Sequence, residues 1–485
     1  MARAVDLLIR GARVIDGTGA PARPGDVAVA GGRIIAEGAG VGAGLDAAEV
    51  VDAGGLTVAP GFIDVHTHDD AAVLDPAGMD AKLTQGVTTV VTGNCGIALA
   101  PDSRVRHAEP VPPLDLLGTA AAFAYPRFAD YLDALRAAGP AVNVVPLAGH
   151  LALRARAMDD LDRPATTAEI EAMRADLAEA LAAGAAGVST GLAYPPARAA
   201  TTGEVAALVG DAAVAGALWT THMRDERTGV VSAVAETLDV ARRTGARTLI
   251  SHHKCCGAAA FGLSRTTLAM IAAARAEGLS VDLDVYPYTA SSTVLIETFA
   301  RDSTRVTVSW SDPHPEAEGR DLADIAAEWG VDESVALDRL SPGGGIYHQM
   351  DDGDLERILA FPPSLVGSDG LPRDRRPHPR LWGAFPRVLG RYVRDRRLFG
   401  VEEAVAKMTG RTAGVLGLAD RGRIAAGAAA DLVLFDPDRI ADRATYEAPT
   451  TPAAGIARVI VNGRTVLADG RRTGAAPGAV LGRGD

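Results

Sequence analysis

Residues 59–68 read APGFIDVHTH: an apolar run, Phe62-Ile63-Asp64-Val65, that closes on His66-Thr67-His68. Alternate residues of an extended strand project to the same side, so His66 and His68 leave the strand end as a pair of imidazoles on one face. The same design recurs along the chain. VTTVVTGNCG (87–96), VNVVPLAGH (142–150), GVSTGL (187–192), LWTTHM (218–223), TLISHHK (248–254), LDVYPY (283–288) and SLVGSDG (364–370) are short apolar runs ending in polar or Gly residues. Ala-rich helical stretches such as TAEIEAMRADLAEALAAG (167–184) lie between them. Strands alternating with helices predict a parallel sheet, and eight is the number that closes a barrel.

The spacing agrees. A (β/α)8 barrel of ~250 residues allots ~31 residues to each strand-helix unit. His66 to Cys95 spans 29 residues, His222 to His252 spans 30, and His252 to Tyr286 spans 34. Tyr286 to Asp369 spans 83, which leaves room for an insertion after the seventh strand, at about 300–345. An insertion there sits over the C-terminal ends of the strands, where such barrels do their chemistry.

Outside this region the texture is short strands broken by glycine. DLLIRGARVIDG (6–17), DVAVAGGRIIAEG (26–38) and GLTVAPG (55–61) are matched by GRIAAGAAADLVLFD (422–436) and ARVIVNGRTVL (457–467). The expectation is an α/β protein: a TIM-like (β/α)8 barrel over residues 61–418, with a small β-sandwich assembled from residues 1–60 and 419–485. Two unrelated β extensions are the alternative.

Composition narrows the function. Of 485 residues 48% are hydrophobic and 22% charged, ordinary globular usage that excludes wholesale disorder. The net charge of −13 argues against a nucleic-acid partner, whose basic footprint is missing. No stretch approaches the ~20 apolar residues of a membrane span, and the N-terminal residues carry no signal-peptide core. The three cysteines, Cys95, Cys255 and Cys256, include an adjacent pair, so no disulfide framework is indicated and a reducing cytoplasm is the expected compartment. No residue decides the oligomeric state.

Six of the ten histidines fall at the expected strand ends: His66, His68, His150, His222, His252 and His253. A strand-end His is often structural, but six at one edge of a single barrel point to a metal centre. Cys95, flanked by Asn94 and Gly96, would add a thiolate, and thiolate with neutral imidazoles is a sound zinc donor set. Asp369 lies in GSDG, where flanking glycines let backbone and ligand approach closely.

HTH after PGFID, then GNCG, THMRDE, ISHHK and GSDGLPRDRRPHPRLWGAFPRVLG, resembles the D-aminoacylases, the N-acyl-D-amino-acid deacylases of the amidohydrolase superfamily. The resemblance runs the whole length. It implies a tight zinc site at Cys95, His222 and His252, a second and weaker metal position at His66 and His68, and Asp369 as the catalytic carboxylate. It also implies that Lys254, Tyr194, Tyr286, Ser292 and Arg380 receive the carboxylate and carbonyl of a small-molecule N-acyl-D-amino acid. His150 has no assigned role, and His253, on the opposite side of the strand from His252, is expected to be structural. Hydantoinase-like relatives bridge two metals with a modified lysine on the fourth strand. GVSTGL has none, since the lysines are Lys82, Lys254 and Lys407, and Cys95 is available as the bridging donor.

Zinc lowers the pKa of a bound water to about 7, and Asp369 would take a proton from it during attack on the amide, then deliver that proton to the departing amine. The loop TASSTVLIETFA (289–300) offers Val294, Leu295, Ile296 and Phe299, with no cation before Arg301, so a preference for neutral, apolar D-side chains is expected. Another amidase of the superfamily, acting on dipeptides or hydantoins, is the alternative enzyme. A scaffold relative that has lost the metal would lack several ligands, which this chain retains.

Overall fold

The computed structural model describes residues 3–483. Each of the eight expected runs overlaps a strand: Phe62–Asp64, Val87–Thr92, Asn143–Pro146 (continued by Ala148–Gly149), Gly187–Gly191, Leu218–His222, Arg247–Ile250, Val281–Val285 and Ser364–Val366. Every neighbouring pair is parallel, and Pro146 and Ala148 carry the pairing across Leu147 from a three-stranded group to a six-stranded one. A parallel bridge between Thr67 and Gly370 then brings the first strand to the last. Ile63, Val91, Val145, Leu218, Leu249 and Leu365, from six of the eight strands, meet in one apolar cluster. These strands are buried on both faces, which explains their near-continuous apolar runs.

Helices fill the connections. Thr167–Ala183 begins with a capping box, in which Thr166 Oγ1 accepts from the Glu169 amide and the Glu169 carboxylate accepts from the Thr166 amide at 2.8 Å. It stops at Gly184. Among the described residues no helix is long and apolar enough to cross a membrane.

Strands from the two ends of the chain share one nine-stranded sheet. Leu432–Phe435 pairs antiparallel with Thr57–Pro60, and Arg3–Val14 pairs with Arg23–Ala30, Leu45–Asp52 and Thr57–Pro60. Leu7, Ile9, Val27, Val29, Leu432, Leu434 and Ile460 form its apolar cluster. Leu45–Asp52 was not among the expected strands; it is largely exposed and lacks a clean apolar alternation.

Between the seventh and eighth parallel strands lies an antiparallel sheet of Ala290–Val294, Arg305–Ser311 and Gly343–His348, with the last in the centre. Helices Leu322–Trp329 and Glu333–Leu340 pack on it, and Val306, Val308, Leu322, Ile325, Leu337 and Tyr347 give it a core of its own. Its outer strand starts at Ala290 and its central strand ends at His348, so this sheet reaches beyond both ends of the stretch 300–345.

Candidate active site

Because the eight strands are parallel, their polar C-terminal ends collect on one side. Cys95 Sγ lies 3.2 Å from His66 Nε2 and 3.3 Å from His252 Nε2. The His222 and His252 ring centroids are 4.4 Å apart, and His68 Nε2 is 3.2 Å from Asp369 Oδ1. Three overlapping donor groups result: His66, His68 and Cys95; Cys95, His222 and His252; and His66, His252 and Asp369. Within each group the ligand atoms lie within 4.8 Å of one another, and every member is buried.

The backbone is bent to achieve this. Cys95 (φ 56°), His252 (φ 36°) and Asp369 (φ 51°) all occupy the left-handed region, which for a non-glycine residue costs roughly 1–3 kcal/mol and persists only where the surroundings enforce it. Gly367 is needed beside them, since a Cβ there would stand 2.6 Å from the Cβ of His66. The Asp369 amide donates to the His66 carbonyl at 2.8 Å and the His68 amide to the Gly370 carbonyl at 3.2 Å, tying the last strand end to the first.

Beneath this tie, Lys82 is fully buried. Its Nζ donates to Asp64 Oδ2 and Ser368 Oγ, both at 2.8 Å, and lies 3.2 Å from Asp69 Oδ2. Asp64 Oδ1 accepts from the Ser368 amide at 2.8 Å. Asp284, at the end of the seventh strand, accepts from the His252 amide at 2.9 Å and lies 3.3 Å from His66 Nδ1.

Burial lowers the pKa of His68, and lowers those of His222 and His252 well below the ordinary imidazole value, with Lys254 adding to the effect at the latter two. Neutral imidazoles are the form that ligates metal. Burial pushes the Cys95 thiol up, a tendency that a coordinated cation reverses. Both ring nitrogens of His222 and Nδ1 of His68 are buried without a hydrogen-bond partner. Polar atoms so placed are costly unless something else satisfies them.

Beside the donor groups is a narrow cavity lined by Tyr194, His222, Glu226, Lys254, Ser292 and Asp369, among others. Tyr194 Oη lies 3.2 Å from Thr293 Oγ1, and Ser292 Oγ is buried with no partner. Tyr286 lines an adjoining cavity together with His252 and Lys254, and its hydroxyl also lacks a partner. Arg380 stacks over the Tyr286 ring at 4.5 Å and donates to the Ser292 carbonyl at 2.9 Å.

Two strand-end histidines stay out of the donor groups. His150 opens helix His150–Ala157 and turns to Glu204 at 2.9 Å. His253 Nε2 meets Thr267 Oγ1 at 2.8 Å. Of the apolar residues in 289–300, Phe299 lines the cavity, whereas Leu295 and Ile296 pack against the core of the inserted sheet. Arg301 is paired with Glu297 at 2.8 Å and is exposed.

Sequence reasoning missed Glu226. Its Oε1 accepts from Lys254 Nζ at 2.8 Å and sits 3.0 Å from His252 Nδ1, while Oε2 is 3.5 Å from His222 Nε2. The available signal was a carboxylate four residues beyond His222 in THMRDE. Arg227, next along, also lines the cavity and was missed.

Comparison with known proteins adds independent weight. Residues 49–467 match the model of the amidohydrolase family. A D-aminoacylase of Alcaligenes xylosoxydans xylosoxydans is 51% identical over 480 residues, 99% of this chain and 98% of that protein. An N-acyl-D-glutamate deacylase of the same organism is 50% identical over 96% of this chain and 94% of its own length. The crystal structure of the N-acyl-D-glutamate deacylase from Bordetella bronchiseptica, complexed with zinc and a phosphonate mimic of the tetrahedral intermediate, superposes with a TM-score of 0.92. It is 48% identical and covers 99% of this chain and 100% of that one. The protein is thus a member of the amidohydrolase family, on the branch formed by the D-aminoacylases and N-acyl-D-amino-acid deacylases.

Proposed function

We propose that this protein is a zinc-dependent hydrolase that cleaves the amide bond of N-acyl-D-amino acids, releasing a carboxylate and a free D-amino acid. The observation that carries the reading is the convergence of Cys95, His222 and His252 beside Asp369 at one end of eight parallel strands. The donor set fits zinc: one soft thiolate with imidazoles held neutral by burial, and a His222 ring whose two nitrogens are buried without a hydrogen bond. Cys95, His222 and His252 would hold the tight ion, with His66 and His68 serving a second, weaker position.

When bound, the metal supplies Lewis acidity, polarising the scissile carbonyl and lowering the pKa of water. The protein's own groups do the rest. Asp369 acts as general base toward the attacking water and then as general acid toward the leaving amine nitrogen. Lys254, Tyr286 and Arg380 receive the substrate carboxylate, and the unpaired Ser292 and Tyr286 hydroxyls orient it. Tyr194, against the His222 ring at 4.9 Å, closes the cavity over the carbonyl. The substrate preference we assign is for neutral, apolar D-side chains.

In architecture, we read the eight strands as a closed (β/α)8 barrel over residues 61–418, and the terminal sheet, residues 1–60 with 419–485, as a small sandwich folded over its own apolar cluster. Three free, buried thiols suit a reducing cytoplasm. The test is a hydrolysis screen of paired N-acetyl-D- and N-acetyl-L-amino acids with metal analysis of the same preparation. Turnover restricted to D-substrates and dependent on zinc is expected; turnover of the L-series, or none, would reject the reading.

A further inference from the structure

Arg227 stands in the partition between two spaces. One is the inner cavity beside Cys95, His222 and Asp369; the other is a wider outer pocket lined by Arg224, Asp225, Glu236, Thr298 and Asp302. Both include Ala193, Arg227 and Phe299 in their walls, so these residues face the reacting centre on one side and the exterior on the other. Arg227 follows the fifth parallel strand and is held in place locally, with its amide donating to Asp225 Oδ1 at 2.6 Å and the neighbouring Glu226 carbonyl accepting from the Cys256 amide at 2.7 Å. Its guanidinium lies 4.0 Å above the Phe299 ring, and its Nε is 2.7 Å from Asp302 Oδ2. Nε and Nη2 are both buried without a hydrogen bond, so the contact to Asp302 is an ion pair that leaves these donors unsatisfied.

Two other cations of the outer wall have carboxylate partners: Arg224 clasps Glu236 through two nitrogens, and Arg301 pairs with Glu297, while Arg198 donates to the Ala193 carbonyl at 3.0 Å. Arg227 is only partly matched. It carries a planar fork suited to a carboxylate, and a single contact to Asp302 holds it. Asp302 belongs to the insertion and is 42% exposed, against 18% for Arg227, so the acid is the more easily displaced partner.

We propose that the Arg227–Asp302 pair sets the side-chain specificity of the enzyme. Paired with Asp302 and laid on Phe299, Arg227 presents a neutral, apolar wall, and a second carboxylate on the substrate meets the negative charge of Asp302. With that acid removed, the buried Arg227 donors become a receptor for the side-chain carboxylate of an N-acyl-D-glutamate or N-acyl-D-aspartate. Attraction and repulsion at one residue pair would thus separate neutral from acidic substrates. This inference rests on the proposed deacylase activity for its substrate class.

The experiment compares zinc-loaded wild type, Asp302→Ala and the double variant Asp302→Ala/Arg227→Met. The readout is the ratio of kcat/KM for N-acetyl-D-glutamate to that for N-acetyl-D-leucine, together with calorimetric affinity for free D-glutamate against D-leucine. Asp302→Ala is expected to raise both ratios at least tenfold, and Arg227→Met in the same background to remove the gain. A smaller rise, or a gain that survives Arg227→Met, overturns the proposal. Should wild type hydrolyse neither substrate, the activity reading fails, and the calorimetric ratio decides the role of the pair by the same tenfold criterion.

Discussion

Arg380 Nη1 lies 2.7 Å from Asp369 Oδ2, and both side chains are buried. The other carboxylate oxygen, Oδ1, faces His68 Nε2 at 3.2 Å and His66 Nε2 at 3.5 Å. Burial alone would push the carboxyl up, but the Arg380 guanidinium above all, helped by the hydrogen bond with His68, outweighs it and holds its pKa well below the ordinary carboxylate value. A group expected to accept a proton is therefore already ionised, with one oxygen anchored by a guanidinium and the other turned to the donor cluster.

Replacing Asp369 by Asn keeps the shape and removes the base. Turnover should fall by ~10²-fold or more, the range typical for loss of a positioned acid–base group. Zinc bound through Cys95, His222 and His252 should remain at wild-type content. Near-normal turnover in Asp369→Asn would show that the proton travels by another route.

Cys95→Ala deletes the one thiolate common to two of the donor groups. Most zinc and most activity should be lost together. His66→Ala should damage activity while retaining more metal, because it leaves Cys95, His222 and His252 in place. Equal zinc content in wild type and Cys95→Ala, measured by elemental analysis, would defeat the assignment.

Glu226 holds the Lys254 ammonium at 2.8 Å and reaches His252 Nδ1 at 3.0 Å. Carboxylates that orient a ligating imidazole this way contribute about 10–100-fold to metal affinity. Glu226→Gln should weaken zinc binding within that range in a chelator competition. It should also raise KM, since Lys254 loses its anchor. An unchanged zinc affinity would reduce Glu226 to a buried counterion.

Acid stability should depend on Glu204. Burial acts to raise its pKa, yet hydrogen bonds from His150 and the Arg154 charge bring it down to about 2, against an ordinary 4.5. Burial lowers the pKa of His150 itself, while Arg154 adds a permanent charge beside Glu204. Between about pH 4.5 and 2 the unfolded chain binds more protons than the folded one at this site. The stabilisation is complete above that window and is lost as pH falls through it. Glu204→Gln should lower Tm at pH 6, because Arg154 is left buried without its counterion, and should show a smaller further drop from pH 6 to pH 3 than wild type. An equal drop in both proteins would place the acid sensitivity elsewhere.

The eight strands were legible because each is a short apolar run that ends in a chemically distinctive residue, a pattern local in sequence. That His66, His68, Cys95, His222 and His252 gather beside Asp369 was legible for the same reason: each stands at or just beyond a strand end, and the period of two sends His66 and His68 to one side. His253 turns to Thr267, away from His252, but it lies beyond the strand that ends at Ile250 and after a left-handed residue, so the turn and not strand periodicity sets its direction.

What the groups touch was decided by tertiary structure. Lys82 reads locally as part of a helix, yet it is buried under the site because Asp64 and Ser368, 286 residues away from it in the latter case, arrive on either side. His150 looks like a sixth strand-end imidazole, but a helix starts at that residue and carries its ring to Glu204. Leu295 and Ile296 look like a substrate wall and instead fill the core of the inserted sheet. Glu226, Asp284 and Arg227 acquire their places only when neighbouring strands bring Lys254, His252, His66 and Phe299 to them. Local sequence sets periodicity and the residue at each strand end; the partner of a charged group depends on which distant segments pack beside it, and burial then makes that pairing obligatory.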